Sequence, residues 1–543
     1  MKIAVAQINA KVGDIDGNAA AILSRLRRAE EAGADLALFP EAALTGYPAL
    51  DLWEDRSFIA ANLDALHRLA AQVGETACLA GFIGRNISGR GKPLHNCAAL
   101  LYRGKVAAVR AKSLLPTYDV FDEARYFQPA RDNTPLRFKG VNLGITICED
   151  IWHEPIEGRR KLYAKDPVEG LLSRGAELIL NLSASPFFAD KPLARYQALS
   201  RMARSHGVPF FYCNLAGGND EIVFDGNSMI FGPRGELWGR GKPFEEDFLL
   251  ADTERPPKPL SWRRETPISQ THDALVCGIR DFLGKCGFSK AVLGLSGGID
   301  SAVVCALAAK ALGPKNVIAV MLPSKYTSKA SKEDAAKLAR NLGVRLETIG
   351  IDKPVAALSA QLTPMFRGLP PDTTEQNLQS RVRGTLLMAL ANKFRALLLS
   401  TGNKSEVAMG YCTLYGDMCG GLNVLGDVSK DAVYALARHI NAGGTVIPVR
   451  SITRPPSAEL KPNQKDQDDL PPYPVLDRVI RAYVEEDRTA GEIKCADRKT
   501  VLSILGRIDR NEFKRRQAAP CLKTTPRAFG AGRKMPVARG YHR

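Results

Sequence analysis

The sequence predicts an α/β protein of at least two domains, and three observations carry that expectation. Short apolar runs alternate with amphipathic helical stretches along much of the chain. At 543 residues the chain is too long for one compact core. The apolar run Lys290 to Leu295 breaks into Ser296-Gly297-Gly298 and then into the Ala-rich stretch Ala302 to Ala311, the order strand, glycine turn, helix start.

In chain order, Met1 to Asn9 alternates as a first strand and turns polar too soon for a signal peptide. Further strand-like runs follow at Leu36–Phe39, Cys78–Ile83, Val141–Ile147, Leu178–Leu182 and Pro209–Asn214. Residues 1–251 are thus expected to form one domain. Residues 252–270, rich in Pro and charge (Arg255-Pro256-Pro257-Lys258-Pro259), read as a linker. A second α/β domain spans 271–543, with another strand at Asn316–Met321. Within it, the polar stretch Pro455 to Pro474 fits a mobile segment or lid, and equally a solvated connection.

Hydrophobic content of 45% and charged content of 24% are those of a soluble globular protein, and no apolar stretch is long enough to span a bilayer. Eleven cysteines without a CxxC pair suggest neither a disulfide framework nor a zinc site, so a cytoplasmic protein is expected. The net charge of +17 is concentrated toward the C-terminus, at Lys514-Arg515-Arg516, Arg527, Arg533-Lys534, Arg539 and Arg543. Few aromatics interleave these cations, so a polyanionic small molecule or a subunit contact explains them as well as nucleic acid does.

The glycine turn is the most informative segment. Gly297 and Gly298 let the backbone bend until several N–H groups point at one centre, and Ser296 and Ser301 add hydroxyl donors. A carboxylate at Asp300 would be repelled by a polyphosphate unless a divalent cation lay between them. These residues point to Mg-ATP held for attack at its α-phosphate, with pyrophosphate leaving. The pattern is not a Walker A loop, which needs Lys-Ser/Thr after the second glycine.

In the first half, Glu41, Lys112 and Cys148 each stand at the end of an apolar run. Acyl transfer by a thiol needs a base, an oxyanion donor and a nucleophile, and these three supply one of each. Taken singly, each has a commoner reading: a packed cysteine, a solvated lysine, a turn glutamate.

Phe39-Pro40-Glu41, Lys112 and Cys148-Glu149-Asp150 resemble the motifs of the carbon–nitrogen hydrolase (nitrilase-like) superfamily. The resemblance implies an N-terminal α-β-β-α sandwich in which Glu41 is the general base, Lys112 stabilises the oxyanion and Cys148 forms the acyl-enzyme. It implies that Glu123 supports the lysine. Tyr118 and Ser185 match positions that hold glutamine in glutaminase members, with either Lys191 or Arg195 pairing the substrate carboxylate. The segment Glu154 to Gly170 is longer than in some relatives of this kind.

The glycine loop, Thr373 to Gly384, Ser400 to Glu406, Tyr415-Gly416-Asp417-Met418, Arg454 to Leu460 and Lys514-Arg515-Arg516-Gln517 resemble the NAD synthetases, and the domain order resembles their glutamine-hydrolysing form. This implies a C-terminal Rossmann-like, doubly wound parallel sheet. The function implied is ATP-dependent amidation of deamido-NAD through an adenylated intermediate, with ammonia from glutamine. By the same resemblance ATP is held by Leu295, Ser296, Gly297, Gly298, Ile299, Asp300, Ser301, Ala302 and Thr401. Asn377, Arg381, Glu406, Lys430 and Lys514 surround deamido-NAD, and Asp300 and Glu406 hold magnesium. No prosthetic group, nucleic acid or membrane is expected, and a homo-oligomer is, a dimer at least and up to an octamer. Rival readings are a GMP or asparagine synthetase, a tRNA-modifying protein, or an inert first domain that only organises oligomers. GMP synthetases share Ser-Gly-Gly-x-Asp-Ser with a different glutaminase, and asparagine synthetases need a cysteine where this chain has Lys2 after Met1.

Overall fold

The computed structural model describes residues 1–153 and 162–541; the start of the long segment at Glu154 and the charge of Arg543 lie outside them. The chain forms two compact units, Met1–Glu265 and Thr266–Arg543.

The first unit is built on two six-stranded sheets. One runs in the order Asp247–Asp252, Lys2–Gln7, Leu36–Leu38, Ala77–Arg85, Leu94–Tyr102, Lys105–Ala111. The other runs Leu237–Arg240, Met229–Phe231, Phe210–Asn214, Leu178–Ser183, Val141–Ile147, Leu136–Phe138. Each has three central parallel strands with antiparallel pairs outside them. Period-two alternation sorts the side chains between faces. Ile3, Val5, Leu38 and Leu79 of one sheet pack against Ile145, Ile147, Leu180 and Phe211 of the other. The intervening residues Ala4, Ala37 and Phe39 face helices Ile15–Glu31 and Arg56–Ala70. On the far side, Ile179 and Tyr212 meet Leu199 and Ala203 of helix Lys191–His206. The result is an α-β-β-α sandwich whose inner layer has no water-facing side, and each fully buried Leu or Ile there contributes about 1.5–3 kcal/mol.

The second unit holds a five-stranded, wholly parallel sheet in the order Arg345–Thr348, Val317–Met321, Ala291–Gly294, Leu397–Ser400, Leu422–Asn423. Ala291–Gly294 comes first in sequence and lies at the centre. The chain winds outward to one side of it and then to the other, which opens a crevice at the carboxyl ends of the central strands. Helix Ile299–Leu312, apolar on nearly every face, is buried accordingly.

The stretch read as a linker differs from that expectation. Leu260 N–H donates to Leu237 C=O at 2.7 Å and Trp262 stacks on Tyr196 at 4.6 Å, so much of it packs on the first unit. Helix Pro267–Lys285 starts inside it, because the Thr266 side chain caps Ser269 N–H and Pro267 is pre-set for a first helical turn.

Candidate active sites

In the first unit, Glu41, Lys112 and Cys148 each leave the carboxyl end of a strand, and the structure brings them together. Lys112 Nζ donates to Glu41 Oε1 at 2.7 Å and to Glu123 Oε1 at 2.6 Å. Asn96 Nδ2 donates to Glu41 Oε1 at 2.7 Å, and Tyr47 Oη to Glu123 Oε1 at 2.8 Å. The amide of Ala184 donates to Glu41 Oε2 at 3.0 Å and also hydrogen-bonds the Cys148 sulfur. All of these groups are buried. Gly81 makes the close approach possible: a Cβ there would lie 2.2 Å from Ala42 N, on the turn that carries Glu41.

Burial disfavours the Lys112 ammonium, but Glu123 and Glu41 outweigh it and hold the lysine charged, well above its usual range. Burial, and then the neighbouring Glu41, push Glu123 up to about 7 against the pull of Lys112. The Cys148 thiol is raised by burial, then by Glu41, against Lys112. It is therefore neutral near pH 7 and needs a base at the moment of attack. Cys148 sits at φ +42°, opening the short helix Cys148–Ile151 directly after strand Val141–Ile147. A left-handed non-glycine residue costs about 1–3 kcal/mol and is held only by its surroundings. Part of that hold is Asp150, which accepts from Ile147 N–H at 3.0 Å and from Ser113 and Leu114 N–H at 2.9 and 2.8 Å. The loop after Lys112 is thereby tied to the loop that presents Cys148.

The residues expected to hold glutamine separate into two groups. Tyr118 Oη and Tyr163 Oη both donate to Glu149 Oε1 at 2.9 Å, and the Lys191 charge also reaches Glu149. Lys191 Nζ donates to Pro186 C=O at 2.6 Å. Ser185 instead accepts from Arg195 Nη2 at 3.4 Å, and Arg195 is fully buried in a two-pronged ion pair with Asp225, both contacts at 3.0 Å. Asn96, Tyr47, Tyr163 and the placement of Glu149 carry no signal in sequence spacing, because their partners lie on distant strands and loops.

In the second unit, the glycine loop lies at the carboxyl end of the central strand and opens helix Ile299–Leu312, with Gly298 as N-cap. Gly297 has φ +82°, and a Cβ on it would meet Ser331 C=O at 2.2 Å, so only glycine fits. A cavity of about 630 Å³ is lined by Leu295, Ser296, Gly298, Ile299 and Thr401, but not by Gly297, Asp300, Ser301 or Ala302. Ser301 Oγ backs the loop by accepting from Ser296 N–H at 3.2 Å.

Asp300 and Glu406 converge on Lys430, whose Nζ donates to them at 2.6 and 3.4 Å; Asn403 Nδ2 donates to Asp300 at 2.9 Å. Burial pushes Glu406 up to about 8, with Lys430 opposing and Asp300 adding to the rise. These hard oxygen donors would suit magnesium, a cation that favours carboxylate and phosphate oxygens. Among the described residues, no group of three His, Cys, Asp or Glu side chains is placed to hold a metal alone.

The other residues expected around deamido-NAD meet elsewhere, at the loop Gly410–Leu414. Asn377 accepts from Thr413 Oγ1 at 2.7 Å, Arg381 Nε donates to Leu414 C=O at 3.2 Å, and Lys514 Nζ donates to Gly410 and Cys412 C=O at 2.8 and 2.9 Å. Parts of the basic tail are paired internally, Arg515 with Glu512 and Arg539 with Asp509. Among the described residues no helix is long and apolar enough to cross a membrane.

Residues 2–256 match the carbon-nitrogen hydrolase family and residues 271–518 match the NAD synthase family. A glutamine-dependent NAD(+) synthetase of Synechocystis sp. is 45% identical over 99% of both chains, and that of Thermotoga maritima is 41% identical over 99% of this chain and 98% of its own. The structure of a glutamine-dependent NAD+ synthetase from Acinetobacter baumannii, in complex with ADP, is 38% identical, covers 99% of this chain and 98% of its own, and superposes with a TM-score of 0.79. A chain with such relatives along its whole length, carrying both constellations, belongs to the glutamine-dependent NAD(+) synthetase family.

Proposed function

We propose that the protein converts deamido-NAD to NAD with ATP and glutamine, giving AMP, pyrophosphate and glutamate. The observation that carries this is the presence of both sites on one chain: the buried Glu41–Lys112 pair beside Cys148, and the glycine-loop cavity at the switch point of the parallel sheet.

In the glutaminase unit, the neutral Cys148 thiol attacks the γ-amide carbon while Glu41 takes its proton. Lys112, held charged, stabilises the developing oxyanion. Glu41 returns the proton to the departing ammonia and then activates water against the thioester. Glu123 keeps Lys112 in place, and Asn96 holds Glu41. We assign Tyr118 and Glu149 to the polar end of glutamine and Lys191 to its carboxylate, because Arg195 is committed to Asp225.

In the synthetase unit, the nicotinate carboxylate of deamido-NAD attacks the α-phosphorus of ATP and pyrophosphate leaves. Ammonia then displaces AMP from the mixed anhydride, a reaction a bare carboxylate resists. Ser296, Gly298 and the first amides of helix Ile299–Leu312 cradle phosphate oxygens. Asp300 and Glu406 would hold magnesium, which neutralises phosphate charge when bound. Asn377, Arg381 and Lys514 are assigned to deamido-NAD through the Gly410–Leu414 loop. By family resemblance the protein works as a homo-oligomer, which light scattering would test.

The test is NAD formation with glutamine or ammonium as donor, in the wild type and in Cys148→Ala. The reading requires that wild type use both and the variant only ammonium. Absence of NAD with either donor in the wild type would sink it.

A further inference from the structure

The glycine loop lacks the lysine with which a Walker A loop meets departing phosphates, yet pyrophosphate leaves this site with a charge that must be neutralised. Lys430 lies behind Asp300 and Glu406 and does not line the cavity. Arg383 also lines the cavity, but among the described residues its one hydrogen bond runs from Nε to Leu322 C=O at 3.0 Å, just past strand Val317–Met321, and not to the glycine loop. Lys465 is exposed.

Arg454 is placed differently. It lines the cavity, and its two Nη groups donate to Gly297 C=O at 3.4 Å and to Ser328 Oγ at 3.3 Å. Both partners adjoin the phosphate cradle, since Gly297 is the turn of the loop and Ser328, which lines the cavity, caps helix Lys329–Leu342. Ser451 Oγ donates to the same Gly297 carbonyl at 3.1 Å, so the backbone is held there without the arginine. Among the described residues Arg454 has no carboxylate partner. A guanidinium always carries its charge, and two long hydrogen bonds to neutral oxygens leave it donors for a phosphate. The rest of its segment forms the cavity wall: Glu459 accepts from Ser331 Oγ at 2.8 Å, and Leu460 C=O accepts from Gln379 Nε2 at 3.0 Å.

We propose that Arg454 is a catalytic residue of the adenylation step that binds the β- and γ-phosphates of ATP and stabilises the pyrophosphate as it departs. The inference rests on the synthetase reading of this site. In the step, a carboxylate oxygen of deamido-NAD forms a bond to the α-phosphorus and the bond from that phosphorus to the αβ-bridging oxygen breaks. The electron pair leaves with pyrophosphate, whose growing charge Arg454 meets with two N–H groups. No proton transfer or redox change is required.

The experiment is single-turnover adenylation by the full-length protein with ATP and with its β,γ-methylene and β,γ-difluoromethylene analogues, in wild type, Arg454→Ala and Arg454→Lys. Fluorine makes the leaving group more acidic, so an enzyme that has lost its leaving-group cation depends on fluorine more strongly. Arg454→Ala is expected to react about 10²–10³-fold more slowly with ATP. Its difluoromethylene-to-methylene rate ratio should rise and its inhibition by pyrophosphate weaken. Arg454→Lys should fall between, with circular dichroism and deamido-NAD affinity unchanged in both variants. Wild-type kinetics with ATP, or a slowing equal for both analogues, would overturn the proposal. A wild type that forms no adenylate would instead overturn the synthetase reading on which it depends.

Discussion

Lys112 and Glu41 form a buried ion pair at 2.7 Å in which Glu123, at 2.6 Å, shares the same ammonium. One lysine thus balances two carboxylates that water does not reach. Removing it leaves both uncompensated, and breaking a buried pair in this way costs about 3–5 kcal/mol. Lys112→Met is therefore expected to lose glutamine hydrolysis and to unfold at clearly lower denaturant concentration, read by activity and by urea titration of the same preparation.

Glu123 gives the glutaminase a pH signature. Its folded value, about 7, lies above the ordinary 4.5, so the native state holds an extra proton between them. The stability this contributes is present below about 4.5 and lost as pH rises through about 7. Activity moves the other way, because an ionised Glu123 holds the Lys112 ammonium charged beside Cys148. The kcat/KM for glutamine should rise through an apparent pKa near 7, and in Glu123→Gln that limb should disappear, leaving a plateau about 10²-fold lower. An unmoved limb would remove Glu123 from the account.

Arg195 and Lys191 are both cations near the glutaminase site, yet they should fail differently. Arg195→Met breaks the fully buried pair with Asp225 and is expected to destabilise the first unit by about 3–5 kcal/mol. Lys191→Met should fold normally and raise the KM for glutamine about 10–100-fold, the worth of a charge-assisted hydrogen bond. Glutamine titrations of the two variants, each checked by thermal melting, separate the roles.

Gly297→Ala places a methyl group 2.2 Å from Ser331 C=O at a φ that alanine avoids. The glycine loop must then move, so NAD synthesis should be lost with ammonium as well as glutamine. Full ammonium-driven activity in this variant would mean that phosphate does not sit on the loop.

Asp300→Asn removes the charge that Lys430 meets at 2.6 Å and one of the two carboxylates suited to magnesium. A higher magnesium requirement and a large loss of NAD synthesis are expected, measured by titrating magnesium at fixed ATP. An unchanged magnesium curve would contradict the assignment.

The glycine loop was legible because its chemistry is local: Leu295 to Ala302 carries its own strand end, turn and helix start. The α-β-β-α layering was available only through resemblance, because alternation along one strand does not say which sheet faces it. Glu41, Lys112 and Cys148 were visible as strand-end residues, but their meeting depends on the order of strands. Asn96 and Tyr47 were invisible for the same reason, since each reaches its carboxylate across the fold. Spacing also could not choose between Lys191 and Arg195, which share one helix, because the choice depends on Asp225, on a strand about thirty residues further along the chain.

On the proposed function, nitrogen reaches NAD from glutamine through Cys148. The most direct measurement supplies amide-¹⁵N glutamine together with unlabelled ammonium and reads the isotope in the carboxamide of NAD by mass spectrometry. The account predicts labelled NAD from the wild type and only unlabelled NAD from Cys148→Ala. Labelled NAD from the variant, or none from the wild type, would contradict it.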